Sequence, residues 1–161
     1  MPIKVCGVHN VLKHIDGADF IVAIRDPKRK SIVHNPDVFV QFEDTEHPDD
    51  RDAAEMLFAV KTVLAAVDAK QVSLSDNIVV HCEAGVSRSS AMAWLILIKL
   101  GMDYKEAFRL LISQHSNIWP NTEVLSYGAS LLKLPQEFRT FVAQVNAEIS
   151  DKRGGFLGYG G

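Results

Sequence analysis

The sequence predicts one α/β domain, a short central and mostly parallel sheet of about four to five strands flanked by helices. Three observations point to it. Short apolar, β-prone runs alternate with helical stretches through the first half, and the second half is helical. The 161 residues suffice for one core without metal or disulfide staples. The composition, 47% hydrophobic and 23% charged, is that of an ordinary globular protein. The folded domain is expected over residues 1–150, with 151–161 as a glycine-rich flexible tail.

Ile3 to Cys6 and Phe20 to Ile24 are apolar runs beside turn residues, hence two short buried strands. Val8 to Ile15 allows one or two helical turns, ended by Asp16-Gly17. Arg25 to Pro36 is a polar connection carrying two prolines and the cations Arg25, Lys28, Arg29 and Lys30. Val38 to Phe42 is a third strand. Pro48 suits the first turn of a long helix through about Ala69, with Asp49 and Asp50 favoured by the helix dipole. Met56, Leu57, Val60, Val63, Leu64 and Val67 give that helix a core-facing stripe. Ile78 to His81 is the fourth strand, and a helical run extends from Ser89 to Leu100. Asp103 caps a helix from Tyr104 to about Gln114. Pro120-Asn121-Thr122 starts another that reaches roughly Lys133, and Gln136 to Ile149 forms the last. Gly154 to Gly161 holds five glycines in eight residues and cannot bury enough to order itself.

Several function classes are disfavoured. The longest apolar stretch, Ala91 to Ile98, is far too short to span a bilayer. No apolar leader follows Met1-Pro2-Ile3-Lys4. Two cysteines without a Cys-x-x-Cys pair suit a reducing compartment, so a cytoplasmic location is expected. A net charge of −3 argues against broad nucleic-acid binding. Glu43 to Asp52 concentrates six carboxylates, with Arg51 the only cation.

The chemistry concentrates in His81-Cys82-Glu83-Ala84-Gly85-Val86-Ser87-Arg88-Ser89. A chain leaving a strand and entering a helix must turn sharply, and Gly85 is free to take unusual backbone angles. Successive N–H groups of such a turn form a concave anion site at the positive end of the helix. Cys82 opens that cradle and Arg88 closes it. Helix end and guanidinium both favour a nucleophilic thiolate. Sulfur beneath a nest sized for a tetrahedral oxyanion points to phosphoryl transfer through cysteine. A buried structural cysteine is the plain alternative, but it has no need of the surrounding pattern.

That pattern of His-Cys, five residues, Arg and Ser resembles the signature of the cysteine-dependent protein tyrosine phosphatase superfamily. The segment Val38-Phe39-Val40-Gln41-Phe42-Glu43-Asp44 is similar to the dual-specificity branch, where a strand upstream of the cysteine ends in an acidic aspartate. Met102 to Ala107 and Ile118-Trp119-Pro120-Asn121 resemble that branch's later helical segments, so the likeness covers about Ile3 to Leu134. The size suits dual-specificity or small bacterial and phage-type enzymes. The resemblance implies a protein tyrosine phosphatase-like fold and a hydrolase acting on phosphotyrosine, with phosphoserine and phosphothreonine as further substrates. It implies no metal and no cofactor.

On that resemblance Cys82 attacks phosphorus and forms a phosphocysteine. The N–H groups of Glu83, Ala84, Gly85, Val86, Ser87 and Arg88 bind the equatorial oxygens, and Arg88 adds a two-donor fork. Asp44 protonates the leaving group and later activates water. Asp50 is the next candidate for this acid. Ser89 donates to the sulfur and eases its departure, while His81 supports the loop by hydrogen bonding. Cys6 is read as core, with pairing to Cys82 as the alternative.

The partner is a phosphorylated protein or peptide. Exposed Glu83, Ala84, Val86 and Ser87 carry no cation, and Glu83 beside the Glu43–Asp52 rim is expected to repel dense charge. That favours a phosphomonoester in a neutral or basic context. Three rivals remain open: an RNA 5′-phosphatase, a non-catalytic phosphate-binding module, and an arsenate reductase, which needs further resolving cysteines.

Overall fold

The computed structural model describes residues 3–153, so the expected tail from Gly154 onward lies outside the described residues. Four strands form one sheet: β1 (Ile3–Cys6), β2 (Phe20–Arg25), β3 (Val38–Gln41) and β4 (Ile78–His81). Their spatial order is β1-β4-β2-β3, and every pairing is parallel, with Cys6 opposite His81 and Ala23 opposite His81 on the other side. Five helices follow the strands or link them: α1 (Asp50–Ala69), α2 (Arg88–Lys99), α3 (Tyr104–Gln114), α4 (Thr122–Leu131) and α5 (Gln136–Lys152).

Period-2 alternation divides the strand residues between two unequal cores. Ile3, Val5, Phe20, Val22, Ile24, Val38, Val40, Ile78 and Val80 share one face with the buried residues of all five helices. Cys6, Val11, Val33 and Val79 form a smaller cluster on the other face, covered by a 3₁₀ turn at Val11–Lys13 and by the segment around Val33. The helices therefore layer on one side only. Trp94 of α2 is fully buried there, ringed by Phe108 at 5.0 Å, Phe138 at 5.4 Å and Phe141 at 6.0 Å. Its indole N–H donates to the Tyr104 carbonyl at 2.9 Å, so no polar atom is stranded.

Element ends depart from the sequence expectation by a few residues, each for a local reason. Asp49, not Pro48, opens α1, because its carboxylate accepts from the Asp52 N–H at 2.8 Å and makes Asp49 the cap. Helix α4 stops at Leu131, where Lys133 takes a positive φ of 54°. Helix α5 runs on to Lys152, three residues past Ile149 and into the stretch expected to be tail. Arg153 beyond it stacks over Trp119 at 5.3 Å. Among the described residues no helix is long and apolar enough to cross a membrane.

Candidate active site

All four strands deliver a functional group at their carboxyl ends, the side of a parallel sheet where ligands bind. Gly7 follows β1, Arg25 ends β2 and Asp26 follows it, Phe42 and Asp44 come after β3, and Cys82 follows β4. Residues 82–88 turn from β4 into α2. Gly85 sits at φ +75°, and a Cβ there would lie 2.5 Å from the Cys6 carbonyl carbon and 2.6 Å from the Gly7 nitrogen. A Cβ on Gly7 would meet the Glu83 oxygen at 2.6 Å. Two glycines thus let the turn press backbone to backbone on the end of β1. Two bonds fasten it: Cys82 N–H to the Cys6 carbonyl at 3.2 Å and Val8 N–H to the Glu83 carbonyl at 3.0 Å.

Cys82 is buried at the floor of this turn. Its sulfur receives the Gly85 N–H at 3.3 Å and lies 3.1 Å from Ser89 Oγ. The N–H groups of Glu83, Ala84, Val86 and Ser87 find no acceptor among the described residues. Ser87 occupies the N-cap of α2, yet its hydroxyl makes no cap bond and instead donates to Asp44 Oδ1 at 2.9 Å. The helix entrance is left with free donors. Buried Arg88 spends Nη1 on the Phe42 carbonyl and on Asp26 Oδ1, both at 2.7 Å. Its Nε is buried without a partner among the described residues. One edge of the guanidinium is anchored, and the other is left to a ligand.

His81 is fully buried, with Nδ1 3.2 Å from the Cys82 carbonyl. A carbonyl only accepts, so Nδ1 carries the proton. Burial holds this histidine below its ordinary pKa, with the carbonyl bond partly opposing. Asp44 is exposed, and its Oδ1 also accepts from Asn121 Nδ2 at 2.9 Å. Asp50 lies in the first turn of α1 and makes no bond to the loop.

Two expectations are corrected. Glu83 was expected to be an exposed, repelling charge. It is half-buried and paired: Arg25 Nε and Nη2 donate to its two oxygens at 2.7 and 3.2 Å, and the Asp26 N–H donates at 3.1 Å. The Arg25 bonds lead the effects that hold its carboxyl below the usual range. Arg25, expected in a polar connection, ends β2 with 8% exposure. Cys6 packs in the small cluster while Cys82 belongs to the main core, and both thiols are free. Burial foremost, then the nearby Cys82, pushes the Cys6 thiol up to about 11.

Four contributors carried no sequence signal as site residues: Gly7, Arg25, Asp26 and the side chain of Asn121. Asn121 is 1% exposed and ties three elements together. Its Oδ1 caps α4 through the Glu123 and Val124 N–H groups, its backbone N–H donates to the Ser87 carbonyl, and its Nδ2 holds Asp44 and the Thr45 carbonyl. Trp119 N–H donates to the Val86 carbonyl at 2.9 Å, and Glu46 accepts from the Thr122 N–H at 3.0 Å. The Asp44 loop, the 82–88 turn and α4 are thereby one bonded unit.

Comparison with known proteins agrees with this geometry. Residues 11–130 match the family model for the dual specificity phosphatase catalytic domain. No curated protein matches the sequence. The crystal structure of human DUSP28 superposes with a TM-score of 0.54 at 17% identity, covering 83% of this chain and 95% of that one. Human tyrosine phosphatase-like serine/threonine/tyrosine-interacting protein gives 0.50 at 17% identity, covering 79% and 83%. PTPMT1, solved in complex with PI(5)P, gives 0.49 at 15% identity, covering 91% and 94%. The two human structures share the fold, and the family model spans most of the sequence: the chain belongs to the dual-specificity phosphatase catalytic-domain family.

Proposed function

We propose that the protein hydrolyses phosphomonoesters on tyrosine, and on serine and threonine, of proteins through a phosphocysteine on Cys82. The observation that carries this reading is the convergence on one sulfur of the Gly85 N–H and Ser89 Oγ, beneath loop amides and an edge of Arg88 that have no partner among the described residues. In the first step Cys82 sulfur bonds phosphorus as the bond to the leaving oxygen breaks. The Glu83–Arg88 amides and Arg88 stabilise charge on the three equatorial oxygens. Asp44 gives the leaving oxygen its proton. Ser87 and Asn121 both donate to Oδ1, which fixes the carboxyl and leaves Oδ2 to hold that proton. In the second step Asp44 takes a proton from water as its oxygen attacks phosphorus, and thiolate departs towards Ser89.

Hydrolysis of para-nitrophenyl phosphate with EDTA present, from pH 5 to 8, tests the reading. Turnover is expected, abolished in Cys82→Ser and reduced by about 10²–10⁴-fold in Asp44→Asn. An inert protein that still binds vanadate would replace hydrolysis with phosphate recognition. A faster rate on phosphoinositides than on phosphotyrosine peptides would move the substrate class to lipids.

A further inference from the structure

The pairing of Glu83 changes the charge around the pocket, and the connection after β2 supplies a different one. Asp26-Pro27-Lys28-Arg29 closes a turn, with the Arg29 N–H donating to the Asp26 carbonyl at 3.1 Å. Proline at the second position and a positive φ of 71° at the third are the pattern of a type II turn. Glycine or asparagine is the unstrained choice at that third position, and here it is a lysine. The turn holds the lysine in this conformation against its preference. The following backbone is also held, because Gln41 Nε2 donates to the Arg29 carbonyl and Arg25 Nη1 to the Lys30 carbonyl, both at 2.7 Å.

Lys28, Arg29 and Lys30 are exposed, and none of them meets a carboxylate among the described residues. Only Pro27 separates Lys28 from Asp26, so at most about 7 Å of chain lies between Lys28 and a residue that touches Arg88. Lys30 is tied through Arg25 to Glu83 of the loop itself. Three unpaired cations therefore stand on a braced turn at one rim of the cradle. Exposed Glu43, Asp44, Glu46, Asp49 and Asp50, with half-buried Asp52, occupy the stretch on the β3 side.

We propose that Lys28, Arg29 and Lys30 form a specificity rim that reads carboxylates flanking the phosphorylated residue of an acidic phosphopeptide. The inference rests on the phosphatase reading and replaces the neutral or basic context expected from sequence. A peptide suits this rim better than a nucleic acid. Acidic side chains on one side of a peptide meet the cations alone, whereas a continuous phosphate backbone would also cross the Glu43–Asp52 stretch.

The test compares kcat/KM for three phosphotyrosine peptides whose neighbours are Glu, Gln or Lys, beside para-nitrophenyl phosphate. The Glu peptide is expected to exceed the Gln peptide by about tenfold at low salt, the scale of a few exposed charge pairs, with the gap shrinking as salt rises. The triple variant Lys28→Gln/Arg29→Gln/Lys30→Gln should erase that preference and leave para-nitrophenyl phosphate hydrolysis within twofold. Lys28→Gly beside Lys28→Gln separates charge from backbone: both should weaken the preference, and only Lys28→Gly should raise Tm by relieving the positive φ. Equal rates on the Glu and Gln peptides, with para-nitrophenyl phosphate turned over, would overturn the rim alone. With triphosphate-ended RNA assayed as a further substrate, a loss in the triple variant confined to that RNA would overturn the peptide class. No turnover of any substrate would overturn both the rim and the phosphatase reading.

Discussion

Asn121→Ser separates two jobs that one buried side chain performs. Serine caps a helix about as well as asparagine, so the bonds to the Glu123 and Val124 N–H groups are retained. The two Nδ2 bonds are lost, to Asp44 Oδ1 at 2.9 Å and to the Thr45 carbonyl at 3.1 Å. A neutral hydrogen bond contributes about 1 kcal/mol and one to a charged group about 1.5–3. Asp44 is exposed, so water replaces most of the second, and the stability loss should be about 1–2 kcal/mol. Asn121→Ala also removes the cap and should cost about 1 kcal/mol more. The catalytic effect is distinct. With Ser87 as the remaining tether the Asp44 carboxyl swings, and kcat should fall by about tenfold out of the 10²–10⁴ that a general acid supplies. A poor leaving group depends on that proton more than a good one. Phenyl phosphate should therefore lose more than para-nitrophenyl phosphate, with KM unchanged. An equal loss on both substrates, or no loss with a lowered Tm, would refute Asn121 as the positioner of the acid.

Other perturbations reach different parts of the unit. Gly7→Ala places a Cβ 2.6 Å from the Glu83 oxygen and 2.8 Å from the Ala84 carbonyl carbon, so the loop must shift. It should cost about 1–3 kcal/mol by urea unfolding, and kcat/KM should fall by about 10²-fold through misplacement. Arg25→Gln leaves Glu83 without its guanidinium and should lower stability by about 2–3 kcal/mol, less than the roughly 3–5 kcal/mol of a fully buried pair because Glu83 keeps 26% exposure. Restoration by Arg25→Gln/Glu83→Gln would identify charge as the cause. His81 and His115 are both held below their ordinary pKa, chiefly by burial, and His115 Nε2 accepts the Val5 N–H of the edge strand at 3.2 Å. Between the lowered folded values and the ordinary histidine value of 6.5, the unfolded chain binds more protons than the folded one. Stability should accordingly be full above pH 6.5 and decline as pH falls through it. The urea midpoint at pH 5.5 against 7.5 should show the drop, smaller in His115→Gln.

The strands and helices were legible because their apolar periods are plain, and β1 and β4 fall at the expected bounds. The turn at 82–89 was legible because its chemistry is contiguous in sequence. Its supports were not, because they come from distant segments. Gly7 gives no local sign that Glu83 will lie against it, and nothing in Arg25-Asp26 announces that Glu83 and Arg88 come within 2.7 Å. Charge counting along the chain read Glu83 as free for that reason. Asn121 reads as a helix cap, which it is, while its second bond spans 77 positions to Asp44. The positive φ at Lys28 has no sequence signature, since proline before a lysine fits several turns.

The central claim is a covalent phosphoryl group on one sulfur. It is tested most directly by mixing enzyme with labelled phosphotyrosine peptide, quenching in acid within the first turnover, and mapping the label by mass spectrometry. Slowing the second step with Asp44→Asn and using para-nitrophenyl phosphate should increase the trapped fraction. The account predicts one phosphoryl group on Cys82, absent in Cys82→Ser. Turnover with no labelled protein, or label on a histidine, would contradict it.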